Sequence, residues 1–223
     1  MDGISNINHI SPGVAEITYN DGSKYIGTIS GKNKSGKGKI EFISGEHYTG
    51  EFENDQMDGF GKYVALTLKY EGQWRNGMQD GEGIETWNDG SIFKGSFRDG
   101  VKHGNGKYSW VDGTSYDGEW RDGEINGMGK FIFLNGAVYK GQWKNGKRHG
   151  KGDFKNRRGQ HYVGDFKNDK KNGRGILTFT NKQVYEGEFM NNKPHGIGRL
   201  VFPDGNVIDG EWVNGKRLDN FND

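Results

Sequence analysis

The sequence predicts an all-β chain of tandem β-hairpins, each 23 residues long, and three observations lead there. Glycine makes up 40 of 223 residues and aromatics 13%, with 3 prolines and no cysteine. Abundant glycine and aromatics with little proline suit short strands and tight turns. A Tyr-x-Gly-x-aromatic unit starts at Tyr25, Tyr48, Tyr70, Phe93, Tyr116, Tyr139, Tyr162 and Tyr185, with a degenerate ninth at Ile208; the spacing is 23 except for a single 22. Within a unit the period is two, as in Tyr116, Gly118, Trp120 and again Gly127, Gly129, Phe131, Phe133, which is strand periodicity.

With the first residue of a unit as position 0, positions 0, 4, 15 and 17 hold 27 of the 29 aromatic residues, and only Phe60 and Phe221 fall elsewhere. Such self-similarity marks an array in which each unit buries its apolar face against its neighbours. Residues 1–12 align poorly and read as an N-terminal lead or cap. A half unit (13–24), eight units from 25 to 207 and a second half unit (208–215) make up the array, and 216–223 form a C-terminal tail. Eight hairpins and two half units predict about 18 antiparallel strands.

The expected register pairs position 4 with 13, 2 with 15 and 0 with 17, setting Trp120 across from Gly129 and Phe131 across from Gly118. Between units stands Asp-Gly-x, as in Asp89-Gly90-Ser91 and Asp112-Gly113-Thr114. A three-residue loop with left-handed glycine would keep positions 17 and 23 paired on one face. Two units break the pattern. Val64 to Lys69 is one residue short and lacks Asp-Gly, so a tighter turn or bulge is expected there, with Leu66 or Leu68 exposed; Asn156 stands where an aromatic belongs.

Composition narrows the class further. Leu, Ile, Val and Phe are only about a fifth of the chain, but 31 basic residues nearly balance 30 acidic ones, so the high net charge of a disordered chain is missing. No apolar run approaches 18 residues and no signal-peptide core opens the chain, so a soluble, cytoplasmic protein is expected.

The chemistry-bearing motifs point away from catalysis. Gly31 to Gly38 imitates a phosphate-binding loop, yet it lacks the Ser or Thr that holds magnesium and falls at a hairpin turn rather than before a helix. His103, His149 and His195 all occupy position 10 but lie two units, and so four strands, apart, too far from one another for a zinc centre; each reads as a turn histidine bonded locally. No Ser-His-Asp arrangement is identifiable. The expectation is no enzyme, no cofactor and no metal.

The run Tyr-x-Gly-x-Trp-x-x-Gly-x-x-His-Gly-x-Gly from Tyr139 to Gly152 resembles the MORN repeat (membrane occupation and recognition nexus), and the resemblance covers about residues 13 to 215. It implies a single-layer, elongated, twisted antiparallel sheet with a shallow aromatic-lined groove. It also implies a place in cytoskeletal or ciliary assemblies, where similar proteins are found, and the family's name suggests membranes. One layer leaves its aromatic face without a cover, and an exposed apolar strip marks a partner site. Trp74, Trp87, Phe97, Trp110, Trp120, Trp143 and Phe166 are the candidate groove residues for an extended or helical protein segment.

Charge is uneven along the chain. Residues 41–99 carry 12 acidic and 5 basic groups, whereas residues 140–174 carry 12 basic and 3 acidic. Lys147, Arg148, Lys170, Lys171, Lys193, Lys216 and Arg217 occupy positions 8 or 9 of successive units, an edge that reads either as solvated or as a track for anionic phospholipid at the membrane periphery. A net charge of +1 argues against nucleic acid. The two strand edges of an open sheet also admit a homodimer, the C-terminal one at Ile208 to Trp212 lacking a hairpin partner. The reading as a whole is a non-catalytic scaffold for a protein segment, with a lipid-binding edge as the alternative.

Overall fold

The computed structural model describes residues 3–218, and the fold is all-β: twenty strands and no helix among the described residues. The chain divides into two compact units between Val111 and Asp112. The first holds β1 (Ile4–Ser11), β2 (Val14–Tyr19), β3 (Lys24–Ser30), β4 (Asn33–Glu41), β5 (His47–Glu53), β6 (Gln56–Val64), β7 (Leu68–Arg75), β8 (Met78–Trp87), β9 (Ile92–Arg98) and β10 (Val101–Ser109). The second holds β11 (Ser115–Arg121), β12 (Glu124–Ile132), β13 (Val138–Lys144), β14 (Lys147–Lys155), β15 (His161–Lys167), β16 (Lys170–Thr178), β17 (Val184–Met190), β18 (Lys193–Val201), β19 (Val207–Val213) and β20 (Lys216–Arg217). Within each unit every strand pairs antiparallel with its neighbours in the chain.

The two strands beyond the expected 18 lie at the ends. Ile4–Ser11, in the stretch read as a lead or cap, pairs along β2. Lys216–Arg217 folds back on Trp212 and Val213, and the Leu218 N–H donates to the Glu211 carbonyl at 2.8 Å, so the C-terminal strand does have a short hairpin partner.

Two kinds of turn alternate. Inside a hairpin stands a two-residue turn with both φ positive, such as Asn145 (φ 50°) and Gly146 (φ 71°), or Asn168 (φ 48°) and Asp169 (φ 68°). That geometry matches the twist of the flanking strands, and Asn, Asp and Gly tolerate it best. Between hairpins the loop has three residues, shifted by one from the expected Asp-Gly-x: the Phe133 N–H donates to the Ala137 carbonyl at 2.9 Å and the Gly136 N–H to the Phe133 carbonyl at 2.8 Å. Position 17 therefore closes on position 21, not 23. The residue after the glycine already belongs to the strand side, and its N–H is bonded by the loop Asp or Asn, as Asp89 Oδ1 accepts from Ser91 at 2.8 Å. In the short unit the Ala65 N–H reaches the Leu68 carbonyl at 2.8 Å, a tighter loop that leaves Leu66 87% exposed.

The register corrects the expected pairing of rings with glycines. Tyr116 stands opposite Phe131, Gly118 opposite Gly129 and Trp120 opposite Ile125. The two-residue turn sets the near end, and the second strand then bulges between Ile125 and Gly129, where Gly127 adopts φ 79°. Glycine thus faces glycine. The ring that fills the space above the pair is the tyrosine two residues earlier on the first strand: a Cβ on Gly118 or Gly129 would stand closer than 3.0 Å to Tyr116. The Tyr116 hydroxyl then donates to the Glu119 carbonyl at 3.0 Å, and six other position-0 tyrosines do the same three residues on.

Candidate functional site

Most of the ring face is a core rather than an open groove, although a depression of about 460 Å³ lined by Phe42, Tyr63, Leu68 and Trp74 stays open on the first unit. Each position-0 ring is fully buried, and Tyr48, Tyr70, Tyr116, Tyr139, Tyr162 and Tyr185 each meet the position-4 rings of their own and the following hairpin edge-on. Tyr139 is 5.1 Å from Trp143 and 5.1 Å from Phe166, both T-shaped, the arrangement aromatic quadrupoles favour. Trp74, Phe97, Trp120, Trp143 and Phe166 are accordingly buried, which corrects their expected exposure. Trp87 and Trp110 are half-buried at the loop edge, where both stack on Tyr108 at 5.1 and 4.3 Å.

The cover comes from the same layer. Position 9 lies directly across from position 4, as Met57 from Phe52, Lys102 from Phe97, Arg148 from Trp143 and Lys171 from Phe166. The long side chains there lie back over the rings. Lys102 Nζ sits 4.9 Å from the Trp87 ring and 5.0 Å from that of Phe93, and Arg148 sits 5.5 Å from Phe154 and from Phe166. Glu85, which replaces the aromatic or aliphatic residue found at position 15 of the other units, answers Lys102 at 2.7 Å.

The expected basic edge therefore divides. Lys147, Lys170, Lys193 and Lys216 are exposed beside the two-residue turns, while Arg148 and Lys171 are half-buried on the ring face; Arg217 is exposed and lies beside Gly210. Among the position-10 histidines, His149 and His195 keep a buried Nδ1 without a hydrogen-bond partner, which differs from the local bond expected of them. His103 lies against Arg98, with an Nδ1 to Nη2 distance of 2.9 Å.

The open surface is the opposite face. In the second unit the glycines Gly141, Gly152, Gly164, Gly175, Gly187, Gly198 and Gly210 pair across successive strands and form a bare backbone floor. Side chains one residue to either side rise as two walls, enclosing a groove of about 1140 Å³. One wall runs Lys140, Asp153, Val163, Ile176, Glu186, Arg199, Asp209; the other carries Lys151, Asp165, Arg174, Glu188, Ile197 and Glu211. Val163, Ile176 and Ile197 are 46%, 44% and 67% exposed. Some charges are already paired, Lys151 with Asp165 at 2.7 Å and Arg199 with Asp209 at 2.7 Å. A smaller groove of about 420 Å³ on the first unit is lined by Ile26, Lys37, Lys39, Thr49, Glu51 and Phe60.

Position 3 supports these walls, a role the sequence reading missed. Its acid or amide accepts the backbone N–H freed by the bulge: Glu119 from Met128 at 2.9 Å, Gln142 from Lys151 at 2.8 Å, Asp165 from Arg174 at 3.0 Å. The recurrence of Glu, Gln or Asp nine residues ahead of that N–H was the available signal.

These features define an all-β hairpin-repeat protein that uses its aromatics to hold one layer together and leaves its glycine-floored face free. The family profile described as MORN repeat matches residues 48–65, 70–92, 93–115, 116–138, 139–159, 162–184, 185–207 and 209–217, and the chain belongs to that family. Alsin from Rattus norvegicus is 33% identical over 72 residues, 30% of this chain and 4% of Alsin, and Alsin from Homo sapiens is 32% identical over a stretch of the same length. The chain thus matches only about 4% of the length of these relatives. Among solved structures, the TCP10 domain of Danio rerio CPAP, in complex with a peptide of Danio rerio STIL, covers 93% of this chain and 99% of its own at a TM-score of 0.52 and 13% identity, a likeness of fold.

Proposed function

We propose that the chain is a non-catalytic scaffold that binds a protein segment in the glycine-floored groove of the second unit, within a cytoskeletal or ciliary assembly of the cytoplasm. The carrying observation is the bare glycine floor flanked by exposed Val163, Ile176 and Ile197. The two walls stand two residues apart along each strand, roughly 7 Å, which admits an extended chain but not a helix about 10 Å across. The floor's backbone is already paired from strand to strand, so such a segment is held by apolar contact with Val163, Ile176 and Ile197 and by the charged side chains of the walls. The TCP10 domain with a similar fold was solved with a peptide, a use this proposal extends to the present chain.

A displayed library of unstructured peptides screened on the immobilised full chain tests the reading. Enriched peptides should bind Val163→Lys and Ile176→Lys at least about tenfold more weakly, and should bind Leu66→Lys, altered elsewhere on the surface, as well as the parent. No enrichment, or equal loss in all three variants, rejects the groove.

A second reading rests on the exposed row Lys147, Lys170, Lys193 and Lys216, spaced roughly 10 Å apart by two strands each, which suits a peripheral contact with anionic phospholipid. Sedimentation with phosphatidylserine vesicles at low salt tests it. Equal binding by the parent and by the variant with all four lysines changed to Ala would exclude that edge.

A further inference from the structure

Four hairpins place a cation at position 9, over the rings: Lys34 5.2 Å from the Tyr19 ring, Lys102 over Trp87 and Phe93, Arg148 over Phe154 and Phe166, and Lys171 5.0 Å from the Tyr162 ring. Three of them have an acid. Lys34 meets Asp55 at 3.2 Å, Lys102 meets Glu85 at 2.7 Å, and Arg148 meets Asp169 at 3.3 Å. Asp55 and Asp169 are the second residue of the next hairpin's turn, and each also accepts the backbone N–H of its cation, Lys34 at 2.8 Å and Arg148 at 3.0 Å.

At Lys171 the same turn position is Asn192. Its Oδ1 accepts the Lys171 N–H at 2.9 Å, and its φ of 74° matches the 68° of Asp55 and Asp169, so the geometry is kept and only the charge is gone. The ammonium of Lys171 is left half-buried against Tyr162 and Phe166, with no ion pair among the described residues.

We propose that Lys171 is a reactive amine and the site at which this protein is modified by acyl thioesters. Burial, and after it the like charge of Arg148, pulls the Lys171 pKa down to about 8. At pH 7.4 about a fifth of it is then unprotonated, against about a thousandth of an ordinary lysine. Weaker basicity takes back on the order of tenfold of that gain if the Brønsted slope is like that of thiols, and a net gain above tenfold remains.

The neutral amine attacks the thioester carbonyl carbon. A C–N bond forms, the C–S bond breaks, and the thiol leaves with the proton that the amine gives up. The uncharged amide that remains ends both the burial of a charge and the repulsion from Arg148, which methylation would not, since a methylated lysine keeps its charge.

The test incubates the full chain with S-acetyl coenzyme A at pH 7.4 and follows acetylation of each lysine by peptide mass spectrometry. Lys171 is expected to react at least about tenfold faster than Lys147, Lys170 and Lys193, which stand exposed beside the two-residue turns. Asn192→Asp restores the acid that Asp169 gives Arg148, and should bring the Lys171 rate down to within about threefold of theirs. A parent rate no higher than that of the exposed lysines, or a preference unchanged in Asn192→Asp, overturns the proposal.

Discussion

The ring of Tyr139 lies across Gly152 on the neighbouring strand, and its hydroxyl reaches on to the Gln142 carbonyl at 2.9 Å. A Cβ on Gly152 would fall closer than 3.0 Å to that ring, although the glycine has no left-handed backbone that would itself demand glycine. Its requirement is steric. Gly146, by contrast, has φ 71° and nothing within 4 Å of a built Cβ, so its requirement is conformational. Gly152→Ala should therefore cost about 2 kcal/mol or more through overpacking, and Gly146→Ala about 1 kcal/mol through the left-handed backbone. Urea midpoints at unchanged slope give both values.

Trp143 carries a larger share of stability than any exposed apolar residue. It stands between Tyr116 and Tyr139 at 5.6 and 5.1 Å, and its Nε1 donates to the Gly129 carbonyl at 3.3 Å. Trp143→Ala should cost about 3–5 kcal/mol, whereas Leu66→Ser, at a residue 87% exposed, should stay within about 0.5 kcal/mol of the parent. Thermal unfolding of the two variants checks the contrast. If Trp143→Ala proves neutral, the ring ladder is not the core.

Lys102 and Glu85 test the roof over the rings. Their side chains are 18% and 10% exposed, so removing the carboxylate strands an ammonium that water barely reaches. Glu85→Gln should cost about 2–3 kcal/mol, and adding Lys102→Met should recover most of it, because an apolar strap of similar length covers the rings without needing a charge. A double-mutant cycle in urea reads the coupling, and additive losses would deny it.

The strands were legible because every unit repeats the same chemistry, and the 23-residue period survives variation at any one site. Register was not legible. Gly127 and Gly129 look alike in the sequence, yet one turns left-handed in a bulge and the other lies flat under Tyr116, and only the pairing of the partner strand separates them. The Asn145-Gly146 signal for a two-residue turn was present and would have moved the register by itself.

The open face was misplaced for a related reason. A one-layer sheet was expected to expose its aromatics because no second layer could cover them, but position 9 varies among Lys, Met, Gln, Ile, Arg and Pro, and no common property marks it as a roof. With the rings covered, the free surface is the opposite face, where the backbone of these glycines shows between the side chains at the flanking positions, and those vary too much in type to mark a groove.

Alkaline pH probes the same tyrosines. Burial raises the phenols of Tyr25, Tyr139 and Tyr185 to about 12, and those of Tyr48, Tyr70, Tyr116 and Tyr162 still higher. In the unfolded chain each ionises near 10. Below that value both states hold the proton and these groups add no pH dependence. Between about 10 and 12 the unfolded state releases protons that the folded state keeps, so stability falls as pH rises. The urea midpoint should be steady from about pH 7 to 9 and drop steeply above 10, with the phenolate absorbance of these tyrosines appearing only as the chain unfolds. Tyr139→Phe should lose about 1 kcal/mol at neutral pH with its hydrogen bond to Gln142, since Phe93 shows that a ring without a hydroxyl fits the position. Its alkaline slope should be shallower by one ionising group. Phenolate absorbance near pH 10 greater than the three tyrosines outside the ladder can supply, while the chain stays folded and its midpoint holds, would contradict the ladder's burial of these rings.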